Sequence, residues 1–269
     1  HPCIEVRLFN PFSFRTLRAL GYLTDFARLN RRMHNKSFTA DGVATIVGGR
    51  NIGDAYFGAG DEPLFTDLDV MAIGPVVTDV AQDFERYWQS ACVSPLHEVL
   101  DIATEDIAEQ IRMPDDWYQD PKVAGYLNTL EKNQFASQLE RRELPLIWAK
   151  ARLVSDDPKK GQGKAHQRTL LPQRLLNVMG KPERQIDIIS SYFVPGRAGV
   201  AQLLQLARNG VKVAILTNSL AANDVSVVHA GYARWRKKLL RHGIELHELK
   251  PTREGHRPLH DRGITGNSG

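Results

Sequence analysis

Within 18 residues the chain sets down a histidine, a lysine, two adjacent glycines and an asparagine: His34, Lys36, Gly48, Gly49 and Asn51. An imidazole near a phosphate can attack phosphorus or carry a proton close to neutral pH. An ammonium offers a point charge to one phosphate oxygen, and a carboxamide offers an N–H donor to another. A glycine such as Gly49 leaves bare backbone that a ligand can approach closely. His34, Lys36, Gly49 and Asn51 therefore point to phosphoryl or phosphatidyl transfer. No grouping of His, Cys, Asp or Glu has metal-ligand spacing, so the expected chemistry uses no metal and no cofactor.

Those residues need an element that brings them together. Two β-rich runs flank Asp41-Gly42, and Asp-Gly between apolar runs signals a tight hairpin because both turn positions favour φ > 0. With Asp41 and Gly42 as the two loop residues, paired positions sum to 83. His34 then lies opposite Gly49 and Lys36 opposite Val47. Alternation with period two would put His34, Lys36, Gly49 and Asn51 on one face, unless a bulge intervenes.

The full spacing is His34-x-Lys36-x4-Asp41-x6-Gly48-Gly49-x-Asn51. It resembles the HKD motif of the phospholipase D superfamily. The continuation GGRNIGDAYF…FTDLDVMAIGP, with ISSYFVPG and HELKP further on, resembles the cardiolipin synthase branch, and the resemblance runs along essentially the whole chain. It implies an α/β phospholipase D fold of two pseudo-symmetric halves, with mixed β-sheets flanked by helices.

The resemblance also implies roles. His34 matches the motif histidine, which either forms a covalent phosphohistidine or protonates the leaving alcohol. Lys36 and Asn51 match the phosphate-binding pair that neutralises charge as the transition state develops. Asp41 matches the motif aspartate, a structural and electrostatic partner. Asp67 resembles the acid that hydrogen-bonds the far nitrogen of the histidine, with Asp69 on the same strand as the alternative. The implied activity is cardiolipin synthesis from phosphatidylglycerol and a second phospholipid through a phosphohistidine. The alternatives are a phospholipase D or nuclease hydrolysing phosphodiesters, and an inactive fragment that binds phosphate or anionic lipid.

The family uses two HKD motifs, and this sequence holds one: no other histidine has lysine two residues later. The sequence opens on His1-Pro2 and stops at GITGNSG, where the resemblance places the start of the second motif. The expectation is a fragment truncated at both ends.

Along the chain, residues 4–10 and 66–73 read as strands and 78–91 as an amphipathic helix. Residues 98–120 carry eight acids and one base, a local charge of −7. Residues 185–192, 211–218 and 244–249 read as strands alternating with helices over 198–209 and 225–242, each helix followed by glycine. Strand–helix–strand alternation argues for a parallel sheet. The expected division is a first half over 1–91, an acidic, largely helical linker over 92–145, and a second half over 146–269. Tyr192 lies where the first strand of that half ends, the edge of an α/β sheet that commonly lines a site, and is read either as a substrate contact or as packing. The polar loop 156–163 carries no phosphate-loop signal.

The 35 basic and 31 acidic side chains leave a net +4, with 42% hydrophobic residues, an ordinary balance for a folded chain. Disorder, collagen and a disulfide scaffold are excluded. Residues 229–262 carry nine bases and four acids, +5, with Arg234, Lys237, Lys238 and Arg241 at helical spacing. That stripe is either a solvated face or a surface for anionic lipid headgroups. Two distant cysteines, Cys3 and Cys92, suit a reducing compartment. No apolar run reaches bilayer-spanning length. Together with these features, the resemblance implies a peripheral location on the cytoplasmic face of a bacterial inner membrane. The expected partners are phospholipid substrates and an anionic membrane surface, with no nucleic acid.

Overall fold

A computed structural model describes residues 3–11, 31–57, 67–99, 119–223 and 226–250. Most of the acidic stretch, and the bases Arg253, Arg257 and Arg262, lie outside them. The chain is an α/β assembly of two compact units, His1–Asn177 and Val178–Gly269.

In the first unit, β1 (Arg7–Phe9) pairs antiparallel with β5 (Val93–Pro95). The hairpin β2 (Ser37–Ala40) and β3 (Ala44–Val47) continues antiparallel into β4 (Val70–Ile73). Short helix α1 (Asp54–Phe57) follows β3, and α2 (Pro75–Trp88) follows β4. Pro75 fits the first helical position because its missing N–H would have no partner there, and Gly74 before it takes φ 85°. Val77, Val80 and Tyr87, at helical spacing, are the buried face of α2, which packs against β2, β3 and β4. Thr45 of β3 is buried, at 1% exposure. Its hydroxyl meets Thr39 Oγ1 across the strands at 2.8 Å, so the buried polar group is satisfied. Helix α3 (Leu96–Val99) follows β5; α4 (Pro121–Glu131), α5 (Gln134–Glu140) and α6 (Leu171–Met179) come later.

The turn at Asp41-Gly42 forms as expected, with φ 51° and 66° and Val43 N–H donating to the Ala40 carbonyl at 2.9 Å. The register does not follow the expected sum. Ala40 pairs with Ala44 and Ser37 with Val47, so paired positions sum to 84. Val43 is the extra residue, exposed and unpaired after the turn, and one inserted residue slips every later pairing by one. Lys36 consequently meets Gly48, whose N–H donates to the Lys36 carbonyl at 3.4 Å, rather than Val47. The ladder ends at Val47, so strand alternation does not set the faces of Gly49 and Asn51.

In the second unit, β6 (Gln185–Ile189), β7 (Lys212–Asn218) and β8 (Glu245–Leu249) form a parallel sheet in the order 6-7-8, as the alternation predicts. Helices α7 (Gly196–Arg208) and α8 (Ser226–Arg241) make the crossovers. Gly210 and Gly243 stand just past them with φ 82° and 78°, the left-handed positions that end a helix without a Cβ penalty. The core joins Val200, Leu203 and Leu204 of α7, Val213 and Ile215 of β7, Tyr232 and Leu239 of α8, and Ile244.

Candidate active site

The residues before β2 lie where α2 can hold them. Tyr87, near the end of that helix, meets the Asn35 side chain and donates its hydroxyl to the Asp156 carbonyl at 3.1 Å. Asn35 thus turns toward the helix, and its neighbours His34 and Lys36 share a different environment. Lys36 Nζ donates to the His34 carbonyl at 3.1 Å, folding the ammonium back beside the histidine.

The other wall comes from the segment entering β4. Asp67 accepts from Leu68 N–H at 3.0 Å, and its carboxylate occupies the space a Cβ on Gly49 would take. The Asp69 carboxylate does the same at Gly48 and pairs with Arg50 Nε at 2.5 Å. The two adjacent glycines are thus each required by a different aspartate. Asp67 rather than Asp69 influences the titration of His34 and of Lys36.

Burial is the largest influence on both groups. It lowers the His34 pKa below 6.5, assisted by the Lys36 and Lys160 charges and opposed by Asp67. Burial likewise lowers the Lys36 pKa, again opposed by Asp67. The imidazole is therefore held in its neutral form around pH 7, which is the form that can attack phosphorus.

Lys160 went unnoticed in the sequence because it belongs to the polar loop 156–163. Side chains of α2 and Cys92 hold the segment around that loop. Arg86 donates to Ser155 Oγ at 2.8 Å and to the Asp156 carbonyl at 2.9 Å. The Cys92 thiol donates to the Pro158 carbonyl at 3.2 Å. Lys160 also pairs with Asp156. No local motif announces such a residue; only the packing of the loop on α2 and Cys92 brings its charge to His34.

The remaining candidates have surroundings of their own. Asn51 Nδ2 donates to the Tyr56 hydroxyl of α1 at 2.9 Å, and Arg50 donates to the Tyr56 carbonyl at 2.8 Å. Asp41 caps the far end of the hairpin, four residues along β2 from the Lys36 end. Tyr192 belongs to the second unit, past β6, at 43% exposure. No group of three or more His, Cys, Asp or Glu side chains able to hold a metal occurs among the described residues.

Comparison with known proteins adds an independent line. The family description "Cardiolipin synthase, PLD-like domain" matches residues 175–265. Cardiolipin synthase C of Escherichia coli (strain K12) is 70% identical over all 269 residues, 100% of this chain and 57% of that protein. An uncharacterized protein of Helicobacter pylori (strain ATCC 700392 / 26695) is 34% identical over 93% of this chain and 50% of its own length. Cardiolipin synthase A of Pseudomonas syringae pv. syringae (strain B728a) is 24% identical over 86% of this chain and 38% of its own. A solved structure, phosphatidylserine synthase of Haemophilus influenzae Rd KW20, matches with a TM-score of 0.45 and 14% identity over 80% of this chain and 50% of that one. The chain spans about half the length of the curated relatives it matches.

Proposed function

The chain belongs to the phospholipase D superfamily, in its cardiolipin synthase branch, and from that membership we propose that the protein it comes from is a phosphatidyltransferase making cardiolipin from phosphatidylglycerol and a second phospholipid. The observation that carries the reading is the pairing of a neutral-biased His34 with the Lys36 ammonium against Asp67 and Gly49.

In the proposed reaction a histidine nitrogen attacks the phosphorus of phosphatidylglycerol. The P–N bond forms as the P–O bond to glycerol breaks, and the glycerol oxygen leaves with a proton from a second acid. A hydroxyl of the acceptor lipid then attacks phosphorus, giving up its proton as the P–N bond breaks, which yields cardiolipin and restores the imidazole. Lys36 neutralises charge on the equatorial oxygens. Asn51 donates a further hydrogen bond to them, and Asp67, whose carboxylate sits over Gly49, orients the imidazole and stabilises its charged form. Asp41 supports the turn, and Tyr192 contacts substrate from the second half of the fold. The proposed division of the chain is a first half at 1–91, a linker at 92–145 and a second half from 146 onward.

Among the described residues no helix is long and apolar enough to cross a membrane. Peripheral attachment to the cytoplasmic face of the membrane, through anionic lipid, is the proposed way of meeting the substrate. Lipid analysis of cells producing the full-length protein tests the function: His34→Ala should abolish the cardiolipin that the parent protein adds. Unchanged cardiolipin in that variant overturns the role of His34. Free phosphatidic acid in place of cardiolipin overturns transfer in favour of hydrolysis.

A further inference from the structure

Helices α7 and α8 together carry seven Lys and Arg (Arg197, Arg208, Arg234, Arg236, Lys237, Lys238, Arg241) and not one Asp or Glu. Both pack on the β6–β7–β8 sheet and on each other, and their inward faces are the buried core of the second unit. Their outward faces are therefore a two-helix layer with charge of a single sign.

Only one of the seven bases is neutralised by a carboxylate of the described residues: Arg236 pairs with Glu248 of β8 at 2.7 Å. The other six are exposed. Arg234, Lys237, Lys238 and Arg241 stand on the side of α8 opposite the buried Tyr232 and Leu239. Arg197, Ala201, Gln205 and Arg208 form a stripe along α7, and between the two helices runs a groove walled by this stripe, Trp235 and Lys238. The Trp235 ring lies 5.2 Å from Arg234 and 5.9 Å from Lys238, and its indole N–H has no hydrogen-bond partner among the described residues. Apolar side chains interleave with the cations: Leu240 is 51% and Val227 62% exposed.

We propose that the α7–α8 layer is the surface by which the protein docks on an anionic phospholipid bilayer. This goes beyond the proposed function, resting on its reading that the substrate is a bilayer lipid. Complementarity of charge selects the occupant. Cations on two neighbouring helices, with no acid among them, meet a plane of phosphates, while the exposed Leu240 and Val227 reach the headgroup boundary as an interfacial helix requires. A groove lined by bases with the apolar floor of Val200 and Leu204 has the same two-part character.

The test is flotation of the purified chain with vesicles of phosphatidylglycerol and phosphatidylcholine, and with phosphatidylcholine alone. The parent should float only with the former and be released by salt. Each base near the surface contributes roughly fivefold, so the triple variant R197Q/R208Q/K238Q should lower partitioning about a hundredfold. The first-unit triple K132Q/R141Q/K150Q, an equal loss of charge from exposed positions, should leave it unchanged. R234Q/K237Q/R241Q serves as a second probe of the layer should the first fail to fold. Equal losses in the two triples, or no loss in either layer variant, overturn the proposal. So does equal flotation with phosphatidylcholine alone, or displacement of vesicles by duplex DNA that binds through the same bases. Flotation needs no turnover, whereas the His34→Ala lipid analysis reads turnover alone, so each proposal can fail without the other.

Discussion

Gly49 and Asp67 make the sharpest structural test of the site. An ideal Cβ on Gly49 would lie 2.5 Å from Asp67 Cγ, against an ordinary contact that begins near 3.4 Å. Gly49→Ala must therefore push the carboxylate back by about 1 Å, and because Asp67 is an exposed, flexible side chain the cost is at the low end of overpacking, about 1 kcal/mol. That is roughly a fivefold change in the ratio of folded to unfolded chain. Gly49 is not among the glycines with positive φ, so its backbone accepts alanine and the cost is entirely steric. The argument then fixes a change of sign. In an Asp67→Ala background the obstacle is gone, and alanine at 49 should be neutral or stabilising by up to about 1 kcal/mol, because it narrows the unfolded ensemble. Urea denaturation of the parent, both single variants and the double variant closes the cycle. Coupling below about 0.5 kcal/mol would show that the two residues do not meet, and would remove Asp67 from the wall of the site.

Two further outcomes follow from titratable groups. Lys36 lowers the His34 pKa and Asp67 raises it, so Lys36→Met should move the titration of the His34 ring to higher pH and Asp67→Asn to lower pH. Proton NMR of the ring C2–H reads both, and shifts in the same direction would refute the arrangement. In the second unit the Tyr232 hydroxyl, with its pKa pushed up to about 12 chiefly by burial, stays protonated and donates to Glu248 at 3.1 Å. Tyr232→Phe removes that bond while Arg236 keeps its ion pair, and should cost about 1 kcal/mol in urea denaturation; an unchanged midpoint would contradict it.

Local chemistry made much of this structure legible in the sequence. Asp-Gly between β-rich runs located the hairpin turn, and glycine beyond each helix located the ends of α7 and α8, because both signals act through the backbone of one or two residues. The parallel sheet followed from the order of its elements. Register was not legible, because the bulged Val43 looks in sequence like any strand valine, and whether it pairs depends on how β3 meets β4 and α2. Lys160 and Tyr56 were invisible for a related reason. Each reaches its partner through a loop or short helix whose path is set by packing, so no fixed spacing connects them to His34 or Asn51. The adjacent glycines were read as room for a ligand or a bulge; in the fold their missing Cβ atoms make room for two aspartates.

The electrostatics of the site bear on how the proposed chemistry divides its labour. His34 and Lys36 are each less willing to hold a proton than in water, first because they are buried, and His34 also because of the cations beside it. An arriving phosphodiester brings the negative charge that both lack, and so raises both pKa values. Binding of the anion and uptake of a proton are then linked reciprocally: the ligand favours the imidazolium, and the imidazolium favours the ligand. Asp67 pushes in the same direction as the ligand. Attack on phosphorus needs the opposite, a neutral ring with a free lone pair, and a neutral ring is what burial and the two lysines maintain before the ligand arrives. One histidine cannot satisfy both demands at the same instant, so in the proposed reaction a second group must meet the other. A transferase needs a neutral histidine to attack and a protonated one to release the alcohol. The balance between Lys36 and Lys160 on one side and Asp67 on the other decides which of the two His34 supplies.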